Sequence, residues 1–203
     1  SKIEEKLKDG FDLNQIAVLV RAGFQTREFE ERFLAIGLPY RVVGTRFYER
    51  TEIRDAMAYL RLVNQPADDL AFERIINTPK RGLGPATLQV IHQLARARDV
   101  PLLAAAGALA HSDELKPQAR RTLIAFCTQF ARWHEQKDTT LPAEFAQVVL
   151  DETGYTEMWQ KDKAPDAPGR LENLKELVSA IEDFDTLGGF LEHISLVMDN
   201  ETT

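Results

Sequence analysis

The sequence has one cysteine, four histidines and no hydrophobic run of the roughly 18 residues that a membrane-spanning helix needs. A single cysteine, Cys127, cannot form an internal disulfide, and its helical neighbourhood predicts a buried, unreactive thiol. The polar start SKIEEKLKDG is not typical of a signal or transit peptide. These absences predict a soluble, cytoplasmic protein without a membrane partner.

The residue patterns of a self-contained enzyme are also missing. The histidines fall on separate segments without the spacing of metal ligands, which argues against a metal site: His92, His111, His134 and His193. None of the 11 glycines opens a G-x-x-x-x-G-K-[ST] phosphate loop, and there is no G-x-S-x-G nucleophile motif. We therefore expect that this chain alone does not bind and split a nucleoside triphosphate.

Charge is distributed unevenly along the chain. The 203 residues are 44% hydrophobic and 28% charged, which is typical of one or two globular domains. The net charge is −7, but residues 1–100 sum to +2 and residues 101–203 to −9. The stretch from position 74 to position 98 has five basic residues and no acidic one: Arg74, Lys80, Arg81, Arg96 and Arg98. Such a stretch either contacts phosphates or is an ordinary solvated basic face.

The first part of the chain has the pattern of a small α/β unit. The Val- and Ile-rich run NQIAVLVR (14–21) predicts a buried strand, TREFEERFLAIG (26–37) predicts a helix that Gly37 ends, and YRVVG (40–44) predicts a second strand. Short connections favour a parallel pair with a right-handed crossover. Two strands are not stable alone, so this piece resembles a fragment of a larger α/β domain.

From Thr51 onward the periodicity is helical almost throughout. The segment AAAGALAHSDELKP (104–117) contains glycine, proline and turn formers, and it coincides with the change in charge, so we expect a linker there. We accordingly place one domain at 1–110 and an all-helical subdomain at 111–203. The predicted fold class is mainly α, with a small, incomplete α/β piece followed by a helical bundle.

Two features remain as candidate sites. Arg21 ends the first predicted strand, at the sheet edge where open α/β folds bind ligands, and a guanidinium can fork onto phosphate oxygens; a plain surface arginine fits equally well. In NTPKRGLGPATL (77–88), Gly82 and Gly84 permit a tight turn with exposed amides before a helix N-terminus. Such a turn suits a nucleic-acid phosphate, but it also suits an ordinary helix–helix connection.

Several longer stretches resemble, in this order, the second half of the UvrD/PcrA/Rep family of superfamily 1 DNA helicases: IAVLVRAGFQTREFEE, PYRVVGTRFYERTEIRDAMAYLRLV, DDLAFERIINTPKRGLGPATL, ETGYTEMW and RLENLKELVSAIEDF. The resemblance covers nearly the whole chain. It implies the motif IV part of the second RecA-like domain (2A) followed by the helical subdomain 2B. The family's Walker motifs would lie upstream of this segment, and its motifs V and VI would lie downstream.

The resemblance implies particular roles. Arg21 matches the motif IV arginine that reaches the γ-phosphate of ATP held mainly by the first RecA-like domain. Val20 stands where the family often has an adenine-stacking tyrosine, and Gly44 and Thr45 replace a usual glycine pair. The candidate DNA-binding residues are Lys80, Arg81, Gly82, Gly84 and Arg46. Arg46, Tyr48 and Arg50 could approach DNA, but their alternation with Glu49 and Glu52 favours ion pairs at the helix entry.

The resulting hypothesis is a fragment of an ATP-dependent 3′ to 5′ DNA helicase of repair or replication. ATP and Mg2+ would be cofactors of the complete enzyme, and single-stranded or junction DNA and the first RecA-like domain would be its partners. The alternative is a free-standing helical module that binds DNA or a protein and has no motor activity.

Overall fold

A computed structural model describes residues 2–42 and 46–199. Within these two ranges all the assigned secondary structure is helical. The α-helices are α1 Lys2–Lys8, α2 Thr26–Ala35, α3 Thr51–Asn64, α4 Asp69–Ile75, α5 Pro85–Arg98, α6 Leu102–Ala110, α7 Pro117–Gln136, α8 Pro142–Glu152, α9 Tyr155–Lys161, α10 Ala167–Ile181 and α11 Leu187–Asp199. Short 3-10 helices cover Leu13–Gln15, Gly23–Gln25 and Phe47–Glu49.

The strand predicted at 14–21 is wrong. Its first residues belong to the 3-10 helix Leu13–Gln15, and the apolar residues that follow form no strand. Leu19 is 94% exposed. A strand needs a neighbour for its backbone N–H and C=O groups, and no neighbouring strand exists in the described ranges. The proposed partner strand 40–44 includes Val43 and Gly44, which lie outside the described residues, so the α/β piece is not seen.

The helix predicted over 26–37 is confirmed as α2. It ends as expected at Gly37, whose φ of +65° is in the left-handed region that glycine favours. The residues it buries, however, are the charged Arg27 and Glu30, whereas Phe29 is 41% exposed. The apolar side of α2 therefore does not face the main core.

The core is built around α3. Ile53, Tyr59, Leu60 and Val63 are fully buried, and α3 packs against α4, α7, α8, α10 and α11. The Tyr59 ring stacks on the Phe130 ring of α7, with centroids 6.2 Å apart. The helical periodicity predicted from Thr51 onward is confirmed. Residues on both sides of position 110 contribute to this core, and the division into 1–110 and 111–203 stays a prediction.

The linker predicted at 104–117 is wrong in its first half. Helix α6 runs to Ala110 and buries Ala105, Ala106 and Leu109, and the turn begins only at His111. Alanine is the strongest helix former, so an alanine-rich stretch tolerates Gly107 within a helix.

Cys127 lies on α7 with its side chain partly buried beside α6. Burial raises the pKa of this thiol to about 12, so it stays protonated at neutral pH. A protonated, partly buried thiol is a poor nucleophile, in agreement with the sequence-based expectation.

Over residues 2–42 and 46–199, no helix combines the length and apolar character required to cross a bilayer. The same residues contain no group of three or more His, Cys, Asp or Glu side chains that could hold a metal ion.

Candidate functional site

Arg21 lies in an exposed loop just before α2. The backbone N–H groups of Arg21 and Ala22 donate to Oε1 of Gln25, at 2.9 and 3.2 Å. The Thr26 hydroxyl donates to the carbonyl of Gly23 at 2.8 Å. These bonds close a tight turn, and no carboxylate in the described ranges pairs with the Arg21 guanidinium. The loop is thus ordered by its own side chains, and its arginine faces solvent.

Helix α2 attaches to the helical body through charged groups. Arg27 donates to Glu176 of α10 at 2.5 Å and to Glu31 at 3.0 Å, and the Tyr48 hydroxyl donates to Glu31 at 2.8 Å. Burial opposes the charged form of Arg27, but the bonds to the two glutamates outweigh it and raise its pKa. Burial, followed by the charge of Glu31, raises the pKa of Tyr48. Arg27 therefore remains a cation in this contact.

The apolar side of α2 lines an open groove of about 900 Å³. Phe29 and Phe33 form one wall, and the apolar run 16–20 and Val42 line the same groove. An apolar surface of this kind, next to Arg21 in the chain, is typical of an interaction site.

The turn between α4 and α5 is held by one side-chain amide. Nδ2 of Asn77 donates to the Leu83 carbonyl at 2.6 Å, and the Leu83 N–H donates to Oδ1 of Asn77 at 3.3 Å. Gly82 has φ +72°, in the left-handed region that glycine favours, and Gly84 is the N-cap of α5. The N–H groups of both glycines make no backbone hydrogen bond within the part of the chain that the structure describes. Both donors are available at the turn's surface.

Lys80 and Arg81 point in different directions from this turn. The Arg81 guanidinium donates to the carbonyls of Ile75 and Ile76, at 2.8 and 3.2 Å, and to the Tyr59 hydroxyl at 2.5 Å. It also lies 5.2 Å from the centre of the Phe126 ring. Lys80 is exposed, with no ion pair to any described residue. Arg81 therefore fixes the turn internally, whereas the Lys80 ammonium faces solvent.

The five basic residues of 74–98 do not gather at one place. Arg74 forms an ion pair with Asp55 at 2.7 Å. Arg96 and Arg98 lie in the last turn of the 14-residue α5. A helix of that length separates them from the turn by about 20 Å. The positive charge next to Gly82 and Gly84 is therefore that of Lys80 and Arg81, and of these two Lys80 is the one that faces solvent.

Residues near the entry of α3 were expected to form ion pairs. Arg46 is half-buried, with its guanidinium 5.8 Å from the centre of the Tyr40 ring, and Gly44 and Thr45 lie outside the described residues. The Glu52 carboxylate accepts bonds from Arg170 at 3.1 Å and from Asn173 at 2.6 Å rather than from Arg50. The Glu52 carboxylate is therefore paired with α10 and not with a basic residue of the helix entry.

Sequence reasoning missed a buried polar network on α3. Besides the contacts of Glu52, the Asp55 carboxylate accepts a bond from the Tyr155 hydroxyl at 3.1 Å. Burial, then the negative charge of Asp55, raises the pKa of Tyr155. Two acidic residues facing inward from the first turns of a helix signal buried partners, but local periodicity does not identify those partners.

Comparison with known proteins supplies the context of these features. The family model of the UvrD-like helicase C-terminal domain matches residues 1–202. A probable DNA helicase II homolog of Rickettsia felis is 44% identical over 195 residues, which are 96% of this chain and 30% of the relative. DNA helicase II of Escherichia coli is 37% identical over 207 residues, covering 97% of the chain and 29% of the relative. ATP-dependent DNA helicase PcrA of Bacillus subtilis is 36% identical over 194 residues, covering 92% and 26%.

The chain thus spans less than a third of the length of each of these relatives, and the family match extends over almost all of its residues. The chain belongs to the UvrD-like helicase C-terminal domain family.

Proposed function

We propose that this chain acts within an ATP-dependent DNA helicase that moves 3′ to 5′ and functions in repair or replication. ATP with Mg2+ would bind mainly to the first RecA-like domain of the same protein. Arg21 would reach the γ-phosphate across the cleft, and the helical residues 111–203 would act as the accessory subdomain at the DNA junction.

The exposure of Arg21 carries the proposal. Its guanidinium has no carboxylate partner among the described residues, and its loop is ordered by Gln25 and Thr26. An uncompensated guanidinium on an ordered loop suits the stabilisation of charge that develops on a transferring phosphoryl group. Hydrolysis would remove this contact and open the cleft, which would shift the grip on single-stranded DNA.

The open apolar groove beside α2 favours the presence of a neighbouring domain that covers it. An apolar surface of this extent is costly in water, and the remainder of a RecA-like domain would cover it. The first RecA-like domain would then complete the nucleotide site that Arg21 faces.

The α4–α5 turn would contact the duplex. Lys80 supplies a solvent-exposed cation, and Gly82 and Gly84 supply backbone N–H donors at the start of α5. Arg46 would add a further DNA contact, and Arg81 would hold the turn in shape.

The test is Arg21→Ala in the complete enzyme, with Arg98→Ala as an exposed, matched control. Loss of an arginine that stabilises transition-state charge lowers kcat by roughly 10³-fold. We expect DNA-stimulated ATP hydrolysis to fall by that order, with little change in DNA affinity and no change for Arg98→Ala. An unchanged kcat for Arg21→Ala would exclude the assigned role.

A further inference from the structure

Arg50 packs directly on the loop that carries Arg21. A Cβ atom added to Gly23 would lie 2.6 Å from Nη1, 2.7 Å from Nη2 and 2.8 Å from Cζ of Arg50. The end of the Arg50 guanidinium therefore packs closely against Gly23. A Cβ atom at position 23 would displace the end of the Arg50 side chain, so the packing seen here depends on a glycine at this position.

No ion pair with a described residue accounts for the position of Arg50. The neighbouring Glu52 carboxylate is occupied by Arg170 and Asn173, and Nε of Arg50 is buried without a hydrogen-bond acceptor in the described ranges. Arg50 is also the N-cap of α3, where the helix dipole disfavours a cation. The guanidinium thus packs against Gly23 without a counter-charge from a described residue.

Gly23 couples this contact to Arg21. It begins the 3-10 turn Gly23–Gln25, which Gln25 ties back to the N–H of Arg21. The turn also packs against α10, so Arg50 adds a second contact that fixes the turn relative to the helical body.

We propose that Arg50 is a positioning residue for Arg21. Its guanidinium holds Gly23, and through the turn it sets where the Arg21 side chain leaves the backbone. This inference rests on the proposed function of Arg21. A misplacement of about 1 Å at a reacting group can lower kcat about 100-fold, so loss of the contact has a measurable effect.

The kinetic test uses the complete enzyme and four variants: Arg50→Ala, Arg50→Lys, Arg21→Ala and the double variant. We expect Arg50→Ala to lower kcat for ATP hydrolysis by about 10- to 100-fold, with KM for ATP changed much less. Lysine keeps the charge but lacks the planar group, so Arg50→Lys does not restore kcat. Because Arg50 acts through Arg21, the double variant is no slower than Arg21→Ala alone.

Two controls separate positioning from folding. Arg54→Ala removes an exposed arginine one turn further along α3 and leaves kcat unchanged. Amide hydrogen exchange in the same enzyme is expected to rise about tenfold at residues 21–25 in Arg50→Ala, with α3 unchanged.

The possible contrary results have different meanings. Additive losses in the double variant, full rescue by lysine, or unchanged exchange at 21–25 would each overturn the positioning role of Arg50. An unchanged kcat for Arg21→Ala would instead remove the proposed function. In that case the exchange measurement alone decides whether Arg50 holds the loop.

Discussion

The adjacent basic residues Lys80 and Arg81 differ in the direction of their side chains and in their contacts. The sequence places both in one basic stretch, and nothing in local pattern distinguishes them. In the structure Arg81 donates to carbonyls at the end of α4, and Lys80 faces solvent. Side-chain direction in a turn depends on distant groups such as Tyr59, which is why the sequence could not separate a stabilising role from a binding role.

We predict opposite consequences for the two alanine substitutions. Arg81→Ala removes several bonds from a charged donor and should lower the free energy of unfolding by about 2 kcal/mol. Lys80→Ala should change it by less than about 0.5 kcal/mol. Urea denaturation followed by circular dichroism measures both changes. Equal effects on stability would show that Arg81 does not hold the turn.

Cys127 gives the chain a sensitivity to alkali. Because burial raises its pKa from 9.0 to about 12, the folded state retains a proton that the unfolded state loses. The contribution of the protonated thiol to the free energy of unfolding is fully present below pH 9 and is lost as the pH rises toward 12. Cys127→Ala should therefore reduce the fall in stability across this window, as measured by urea denaturation between pH 8 and pH 11. An unchanged pH profile would contradict the proposed contribution of the thiol.

At the scale of elements, helices were predicted well and strands were not. Helices α2, α3, α4, α5 and α7 follow from the spacing of their apolar residues, because a helix satisfies its backbone hydrogen bonds internally. The apolar run 16–20 has a strand-like composition, but a strand depends on a partner that its own sequence does not supply. The linker prediction failed because an alanine-rich segment with one glycine still favours a helix.

The attachment of α2 to α10 can be tested by substituting Arg27. Arg27→Ala would leave Glu176 partly buried without its partner, and loss of one member of such a pair costs about 3 kcal/mol. Lys175→Ala is the matched control, because Lys175 lies next to Glu176 but is exposed and should cost less than about 0.5 kcal/mol. We expect faster amide exchange in α2 for Arg27→Ala only. Equal exchange in both variants would mean that the Arg27–Glu176 pair does not hold α2 in place.

At the scale of the whole molecule, an acidic chain is proposed to contact DNA. With a net charge of −7, binding must depend on a few local cations rather than on the overall field. Each phosphate contact contributes about −0.9 to the slope of log K against log salt concentration.

We therefore predict that this chain binds a forked DNA duplex weakly and in a salt-dependent manner. Lys80→Glu should reduce the salt slope by about 1, whereas Arg98→Glu, about 20 Å away along α5, should not change it. Fluorescence anisotropy over a range of salt concentrations measures both slopes. Equal slopes for the two variants would place the contact elsewhere on the surface.

The carboxamide bridge from Asn77 to Leu83 has a consequence for evolution and for engineering. The two hydrogen bonds close the turn over a fixed number of residues. An inserted or deleted residue between these two positions would therefore break the bonds even if every other side chain were kept. Substitutions at Lys80 can vary the charge presented to a ligand, but the length of the segment cannot vary with it. Because these two bonds already fix the turn, ordering it around a ligand would cost little conformational entropy.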